Sequence, residues 1–282
     1  QELDRHLWQP FYASFKREGK ETFEGFFFPF GLIKDPQFKK SEVYNGLRKA
    51  WADLSPESVM EQLEAYRLEY LDLIFGENSC NLPPDAAEAV FRLARLDFPR
   101  VALPFLMRVS HAIRTGEITA PAGAALLSTA EAFLVRRALC SLEPTGLHTV
   151  FKKLWEQLGG DFTPTKMIEV VGQAKTVTIP TDDDVKQSFK KPLYGKNVAK
   201  FFLYEYDRSL GGDPGPFGTL WIEHVLPQTH HAVYWKQFSQ DQHKELVDLA
   251  GNLLPLSKEM NQDLGQDSYD IKSRNYESDS GF

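Results

Sequence analysis

Ile222-Glu223-His224-Val225-Leu226-Pro227-Gln228, followed by Gly251-Asn252-Leu253-Leu254 and, nine residues after Asn252, by Asn261, is the stretch whose reading decides the fold around it. A short apolar run delivers an adjacent acid and imidazole, and a second run begins at an amide. Ser257 then stands where it can cap a helix whose first turn carries another amide. The pattern predicts strand, strand and helix over about residues 219–265, with the polar groups turned inward toward one divalent ion. Pro227 suits a strand end and not a sheet interior.

The residue types point to a chemistry. Hydrolysis of a phosphodiester needs a base to activate water and a cation to stabilise charge on the phosphate oxygens; His224 with an oxygen-ligated Mg²⁺ or Mn²⁺ supplies both. Glu223 and Asn261 offer the hard oxygen ligands that those ions prefer. Neighbouring strand residues point to opposite faces, so Glu223 and His224 do not both face one ion from a regular strand. A bulge or strand end just before Pro227 is the expected resolution.

These residues resemble a family, the ββα-metal (HNH) nucleases, and within it the C-terminal nuclease domain of GmrSD-type restriction enzymes and SspE-like phage-defence proteins. The resemblance rests on Glu-His-Val-Leu-Pro-Gln at 223–228, Gly-Asn-Leu-Leu-Pro-Leu at 251–256, Asn261, and Lys272 with Tyr276 and Ser278. It implies that His224 is the general base, that Asn252 holds the hairpin and orients the histidine, and that Asn261 and Glu223 are metal ligands. Lys272 then corresponds to the cation facing the phosphate. The last histidine of the usual motif is Asn261 here, which leaves only oxygen ligands. The same likeness implies DNA as substrate and an upstream nucleotide-hydrolysing sensor module in the full-length chain. A single base with a single ion treats one strand at a time, so nicking is the expected elementary event, with double-strand breaks from dimers or paired nicks.

Taken singly, each residue has a plainer meaning. A histidine on an apolar strand is commonly a half-buried, hydrogen-bonded side chain, and Gly-Asn before an apolar run is an ordinary turn. The asparagines at family spacing are what change the reading of His224. His230 and His231 sit in a polar loop and His243 on a short amphipathic helix, so surface or core roles are expected for them. A Zn²⁺ site built from these histidines is a weaker alternative, since no cysteine lies near them.

At 282 residues, 42% hydrophobic and 13% aromatic, the chain is long enough to bury a substantial core and to form two domains. The net charge of −7 argues against a simple nucleic-acid-binding protein, since phosphate contacts need clustered Lys and Arg. Clustering matters more than the sum. Residues 186–208 carry Lys186, Lys190, Lys191, Lys196, Lys200 and Arg208 against Glu205 and Asp207, and Lys190, Lys191, Lys196 and Lys200 are the candidate DNA contacts. Cys80 and Cys140 lie in apolar helical patterns that suggest reduced, buried thiols, and no leader or membrane-spanning run is visible, so a cytoplasmic protein without a membrane partner is expected.

The expected fold is mainly α: a multi-helical domain over 1–160, then a small α+β domain over 161–282 that contains the ββα-metal hairpin. Residues 1–17 open in mid-pattern without a cap, as if the chain began inside a longer polypeptide. The aromatic run Phe26-Phe27-Phe28-Pro29-Phe30 belongs to a helix over 21–34 that Pro29 should kink or end. Helices are predicted over 55–75, with Ser55 as cap and Pro56 in the first turn, then 85–95, 101–115, 119–140 and 146–158. Arg136-Arg137 followed by Leu147 and Phe151 resembles, more weakly, the family's helical spacer. Shorter helices follow over 164–173, 182–191 and 198–210, then a Gly/Pro loop over 211–216 that leads into the site strand.

No Gly-Lys-Ser or Gly-Lys-Thr phosphate loop and no Asp-Gly-Gln-Gln-Arg run occurs, so nucleotide hydrolysis is not expected of this chain. By the resemblance the family continues past Lys272, and Ser278–Gly281 is expected to be a frayed or cut end. The reading that these residues and the resemblance support best is a nicking, metal-dependent DNA endonuclease. Its rivals are a non-catalytic helical scaffold with a degenerate hairpin and a ribonuclease using the same hairpin.

Overall fold

A computed structural model describes residues 4–17 and 20–279. The chain is mainly helical with a small antiparallel sheet near its C-terminal end, as the hydrophobic periodicity predicts. It divides into two compact units, one of residues up to Leu134 with Pro144–Ile179, the other of Val135–Glu143 with Pro180 onward. The expected loose end at 278–281 falls at the edge: the side chain of Ser278 and residues 280–282 lie outside the described residues.

In the first unit a π-helical turn (Asp4–Trp8) leads into α1 (Gln9–Ala13) and a two-residue pair, β1 (Lys16–Arg17) and β2 (Lys20–Glu21). Next come α2 (Phe23–Lys34), α3 (Val43–Ala50), α4 (Pro56–Phe75), α5 (Pro84–Leu96), α6 (Leu103–Arg114) and α7 (Ala120–Leu139), whose residues from Val135 onward count with the second unit. The last elements are α8 (Leu147–Phe151), α9 (Leu154–Leu158) and α10 (Pro164–Gly172). The centre is α4, which packs on α5, α6 and α2. Its start is the predicted one: the Ser55 hydroxyl accepts from the Ser58 N–H at 3.2 Å, Pro56 occupies the first turn, and Gly76 ends the helix in the left-handed region at φ 70°.

Phenylalanine dominates the packing. Phe11, Phe15, Phe26 and Phe30 are all at most 1% exposed. Phe26 meets Phe15 and Tyr70 with steep ring angles at centroid distances of 5.3 and 5.4 Å. Pro29 neither ends nor interrupts α2, contrary to the sequence expectation, because the buried rings of Phe26 and Phe30 flank it and hold the helix on through Lys34. Gly25 allows the close approach: a Cβ there would lie 2.6 Å from the Tyr70 hydroxyl, which donates to the Thr22 carbonyl.

Other boundaries differ in detail. The single helix expected over 146–158 is two short ones, broken at Lys152–Lys153, and between them Leu147, Val150, Phe151, Leu154 and Leu158 are all buried. Cys80 lies in the turn after α4, where the buried Asp72 carboxylate accepts from the Ser79 and Cys80 amides; burial pushes its thiol well above the usual range. Both cysteines are free, but contrary to the sequence expectation neither lies within a helix, and Cys140, in the turn after Leu139, is only half-buried.

In the second unit, α11 (Asp182–Ser188) opens on a reciprocal cap between Thr181 and Asp184 and ends three residues before the predicted Lys191. There follow α12 (Ala199–Ser209), β3 (Leu220–His224), α13 (Gln240–Leu246), β4 (Leu253–Ser257), α14 (Lys258–Leu264) and α15 (Tyr269–Asp279). The strands pair antiparallel, α12 lies on β4, and α14 contacts both strands. Leu220, Leu226, Trp235, Leu253, Leu256 and Leu264 are buried in this unit. Among the described residues no helix is long and apolar enough to cross a membrane.

Phe26→Ala is expected to cost about 3–5 kcal/mol, the range for a deleted core aromatic. Phe28→Ala, at a half-buried ring, should cost clearly less. Urea unfolding followed by far-UV circular dichroism checks both, and equal losses would show that Phe26 is not the hub of the cluster.

Candidate active site

The hairpin is built as its residues dictate. In β3 and β4, Glu223 stands opposite Leu254 and His224 opposite Leu253, and Pro255 is tolerated because a two-stranded sheet leaves one edge of β4 free. The loop between the strands is held by imidazoles donating to carbonyls. His243 Nε2 reaches the Pro227 oxygen at 2.7 Å, and His230 Nε2 reaches the Phe238 oxygen at 3.0 Å. These two histidines are structural, as expected for side chains outside the motif. The Ser257 hydroxyl accepts from the Met260 N–H and starts α14, bringing Asn261 beneath β3.

Asn252 closes the turn. Its Oδ1 accepts from the Leu226 N–H at 2.7 Å, and its Nδ2 donates to the Leu226 and Val247 carbonyls at 3.0 and 2.7 Å. All of these partners are backbone groups, so this amide joins the two ends of the hairpin loop without touching the His224 ring.

Glu223 and His224 are both buried, at 4% and 6% exposure, yet they serve different environments. The Glu223 carboxylate takes the Lys272 ammonium at 2.7 Å and the Tyr276 hydroxyl at 2.9 Å on Oε1, and the Asn261 amide at 3.0 Å on Oε2. Lys272 also donates to the His224 carbonyl at 2.9 Å, and Asn261 to the Ile222 carbonyl at 3.2 Å. Burial next to this carboxylate pushes the Tyr276 phenol far above its ordinary range. Alternation along β3 sends the neighbouring imidazole elsewhere. His224 Nε2 lies 3.2 Å from Asp248 Oδ1, and the Tyr194 ring meets the imidazole nearly edge-on at 4.4 Å.

Burial pushes the His224 pKa below the ordinary histidine value, and Lys272 acts in the same sense; Asp248 and Glu223 pull it up without overcoming burial. The ring is therefore neutral near pH 7, the state a proton acceptor needs. Asp248 and Tyr194 are 38% and 40% exposed, so the groups that flank the buried ring reach solvent.

The structure thus gathers Glu223, Asn261 and Lys272 in one cluster and places the His224 ring beside residues that sequence reading did not single out. Two expectations change. Lys272 is fully buried with its ammonium on Glu223 and a carbonyl, so it does not face a phosphate in this arrangement. Glu223 does not fit a cation ligand here, because three donors already occupy its oxygens and Asn261 turns its nitrogen, not its oxygen, toward it. Among the described residues no group of three or more His, Cys, Asp or Glu side chains is placed to hold a metal. The lysines divide. Lys190 and Lys191 are exposed, whereas Lys196 bonds the Leu139 carbonyl and Lys200 covers the Phe217 ring, both half-buried and both lowered in pKa by that burial.

Asp248 and Tyr194 were missed because nothing in their spacing marks them. An aspartate just before a glycine turn reads as a turn residue, and an exposed tyrosine after Pro192 reads as loop surface.

Residues 179–281 match the family model described as GmrSD restriction endonucleases, C-terminal domain; the residues before 179 lie outside the match. No curated protein and no solved structure matches the chain. This region is a GmrSD-type C-terminal domain, and its function is of the restriction-endonuclease type.

Lys272→Met strands a buried carboxylate and is expected to destabilise the second unit by about 3–5 kcal/mol, with part of the loss recovered by adding Glu223→Gln; chemical denaturation of both variants is the check. A second expectation concerns acid. The folded pKa of His224 lies below its ordinary value of 6.5, so between the two the unfolded chain binds more protons and stability falls as pH is lowered. Relative to His224→Gln, the parent should lose stability as pH falls below 6.5 and run parallel to the variant above it; curves parallel over the whole range would refute the buried neutral ring.

Proposed function

We propose that the C-terminal unit hydrolyses DNA phosphodiesters in the cytoplasm, with His224 as general base and nicking as the elementary event. The observation that carries this reading is a neutral, buried imidazole at the end of the hairpin strand, flanked by two partly exposed side chains, within the region that matches the restriction-endonuclease domain. His224 takes a proton from water, the water oxygen bonds to phosphorus, the bond from phosphorus to one bridging oxygen breaks, and the departing oxygen takes a proton from solvent. A single base treats one strand at a time, so double-strand breaks follow from dimers or paired nicks. Lys190 and Lys191, exposed in the segment after α11, are assigned to the neighbouring phosphates.

A bound Mg²⁺ or Mn²⁺ supplies charge stabilisation in chemistry of this class. Glu223 is not assigned to such an ion here, and no step is routed through one. An upstream nucleotide-hydrolysing module in the full-length chain belongs to the same proposal. A second reading, a helical scaffold with a degenerate hairpin, is favoured by one observation, the closed hydrogen bonding of Glu223 with Lys272, Tyr276 and Asn261.

Relaxation of supercoiled plasmid with Mg²⁺ or Mn²⁺ decides between them. Cleavage by the parent and a loss of about 10²–10⁴-fold in His224→Ala are expected from the usual worth of a general base. A His224→Ala protein that relaxes plasmid as fast as the parent removes the base assignment. No cleavage together with a thermal midpoint indifferent to either ion indicates the scaffold. RNA run in parallel separates a ribonuclease from a deoxyribonuclease.

A further inference from the structure

We propose that Asp248 is the positioning residue of His224: its carboxylate holds the imidazole as the Nε2–H tautomer and leaves Nδ1 as the atom that accepts the proton. This rests on the reading of His224 as base, and it adds a residue and a ring atom that neither the motif nor the family match supplies.

The argument starts from what a carboxylate can do. Asp248 Oδ1 lies 3.2 Å from His224 Nε2, and an ionised carboxyl only accepts hydrogen bonds. The ring nitrogen facing it therefore carries the hydrogen, and in a neutral imidazole the lone pair then sits on the other nitrogen. Rotation of the ring is limited by Tyr194, whose ring crosses it at 69° and 4.4 Å between centroids.

Asp248 is itself held on every side by backbone bonds. Its carbonyl accepts from the Leu193 and Tyr194 amides at 2.8 and 3.2 Å. The residue before it is held by Asn252 Nδ2 on the Val247 carbonyl at 2.7 Å, and the residue after it by the Asn252 N–H on the Leu249 carbonyl at 2.9 Å. Asn252 thus reaches the histidine through Asp248: it bonds the carbonyls of the residues on either side of the aspartate, and the aspartate holds the ring. The same Leu193 and Tyr194 amides bring the Tyr194 ring to the imidazole, so one carbonyl sets both neighbours of His224.

Two measurements on the full chain test this. Long-range ¹H–¹⁵N correlation spectra of protein labelled at histidine, with His224 identified by the signals lost in His224→Gln, report which ring nitrogen carries the hydrogen. The expected result is the Nε2–H pattern in the parent, loss of that pattern in Asp248→Ala, and its retention in Asp248→Glu. Plasmid relaxation should show a kcat about 10–100-fold lower in Asp248→Ala, the range for a residue that orients a functional ligand. KM and the thermal midpoint should stay near the parent's, and Asp248→Glu should recover much of the lost rate. A parent ring protonated on Nδ1 overturns the proposal, as does an Asp248→Ala protein that keeps both tautomer and kcat while His224→Ala is inactive. If His224→Ala cleaves like the parent, it is the nuclease reading that fails, and the tautomer spectra separate that outcome from a failure of Asp248.

Discussion

The C-terminal unit depends on one buried ion pair. Lys272 is fully buried and Glu223 nearly so, and taking both charges out of water is a cost that mutual attraction alone does not offset. The remaining hydrogen-bonding capacity is met by Tyr276, Asn261 and the His224 carbonyl, so the pair is part of a satisfied network. That network joins three elements distant along the chain: the end of β3, the first turn of α14 and the middle of α15.

The position of the imidazole follows from this constraint. With the Glu223 side chain committed to α14 and α15, the two-residue alternation of a strand sends His224 to the other face, where the loop carrying Asp248 and the turn carrying Tyr194 meet it. Lys272 also bonds the His224 carbonyl, so the backbone at the histidine is fixed from one side while its ring is exposed to different chemistry on the other. Asn252 does the corresponding work on the loop, joining Leu226 to Val247 through a single side chain. Adjacent positions of one strand thus place a buried carboxylate and a buried imidazole in separate hydrogen-bonding environments.

Much of this was legible residue by residue. Ser55 and Ser257 cap helices where a hydroxyl precedes an apolar pattern, and Asn252 and Asn261 lie at the start of the second strand and in the first turn of the following helix, as the pattern predicts. Pro29 was misleading, since local preference for a helix end was overridden by two buried rings that only tertiary packing supplies. The phosphate reading of Lys272 came from the resemblance, and the metal reading of Glu223 from residue chemistry as well, which is the same for a carboxylate that binds a cation and one that binds a buried ammonium. Which partner it meets depends on where α15 packs.

By itself the sequence determined that the chain is mainly helical, that it ends in a strand, strand and helix unit, and that an acid, an imidazole and two amides belong to that unit, because periodicity, caps and turn residues act over a few neighbouring positions. Only the tertiary structure decided that Glu223 pairs with Lys272 and that His224 pairs with Asp248, contacts that span 49 and 24 positions. The physical reason is that a buried polar group takes whichever complementary atom the fold brings within hydrogen-bonding distance, and no local pattern records which one that is.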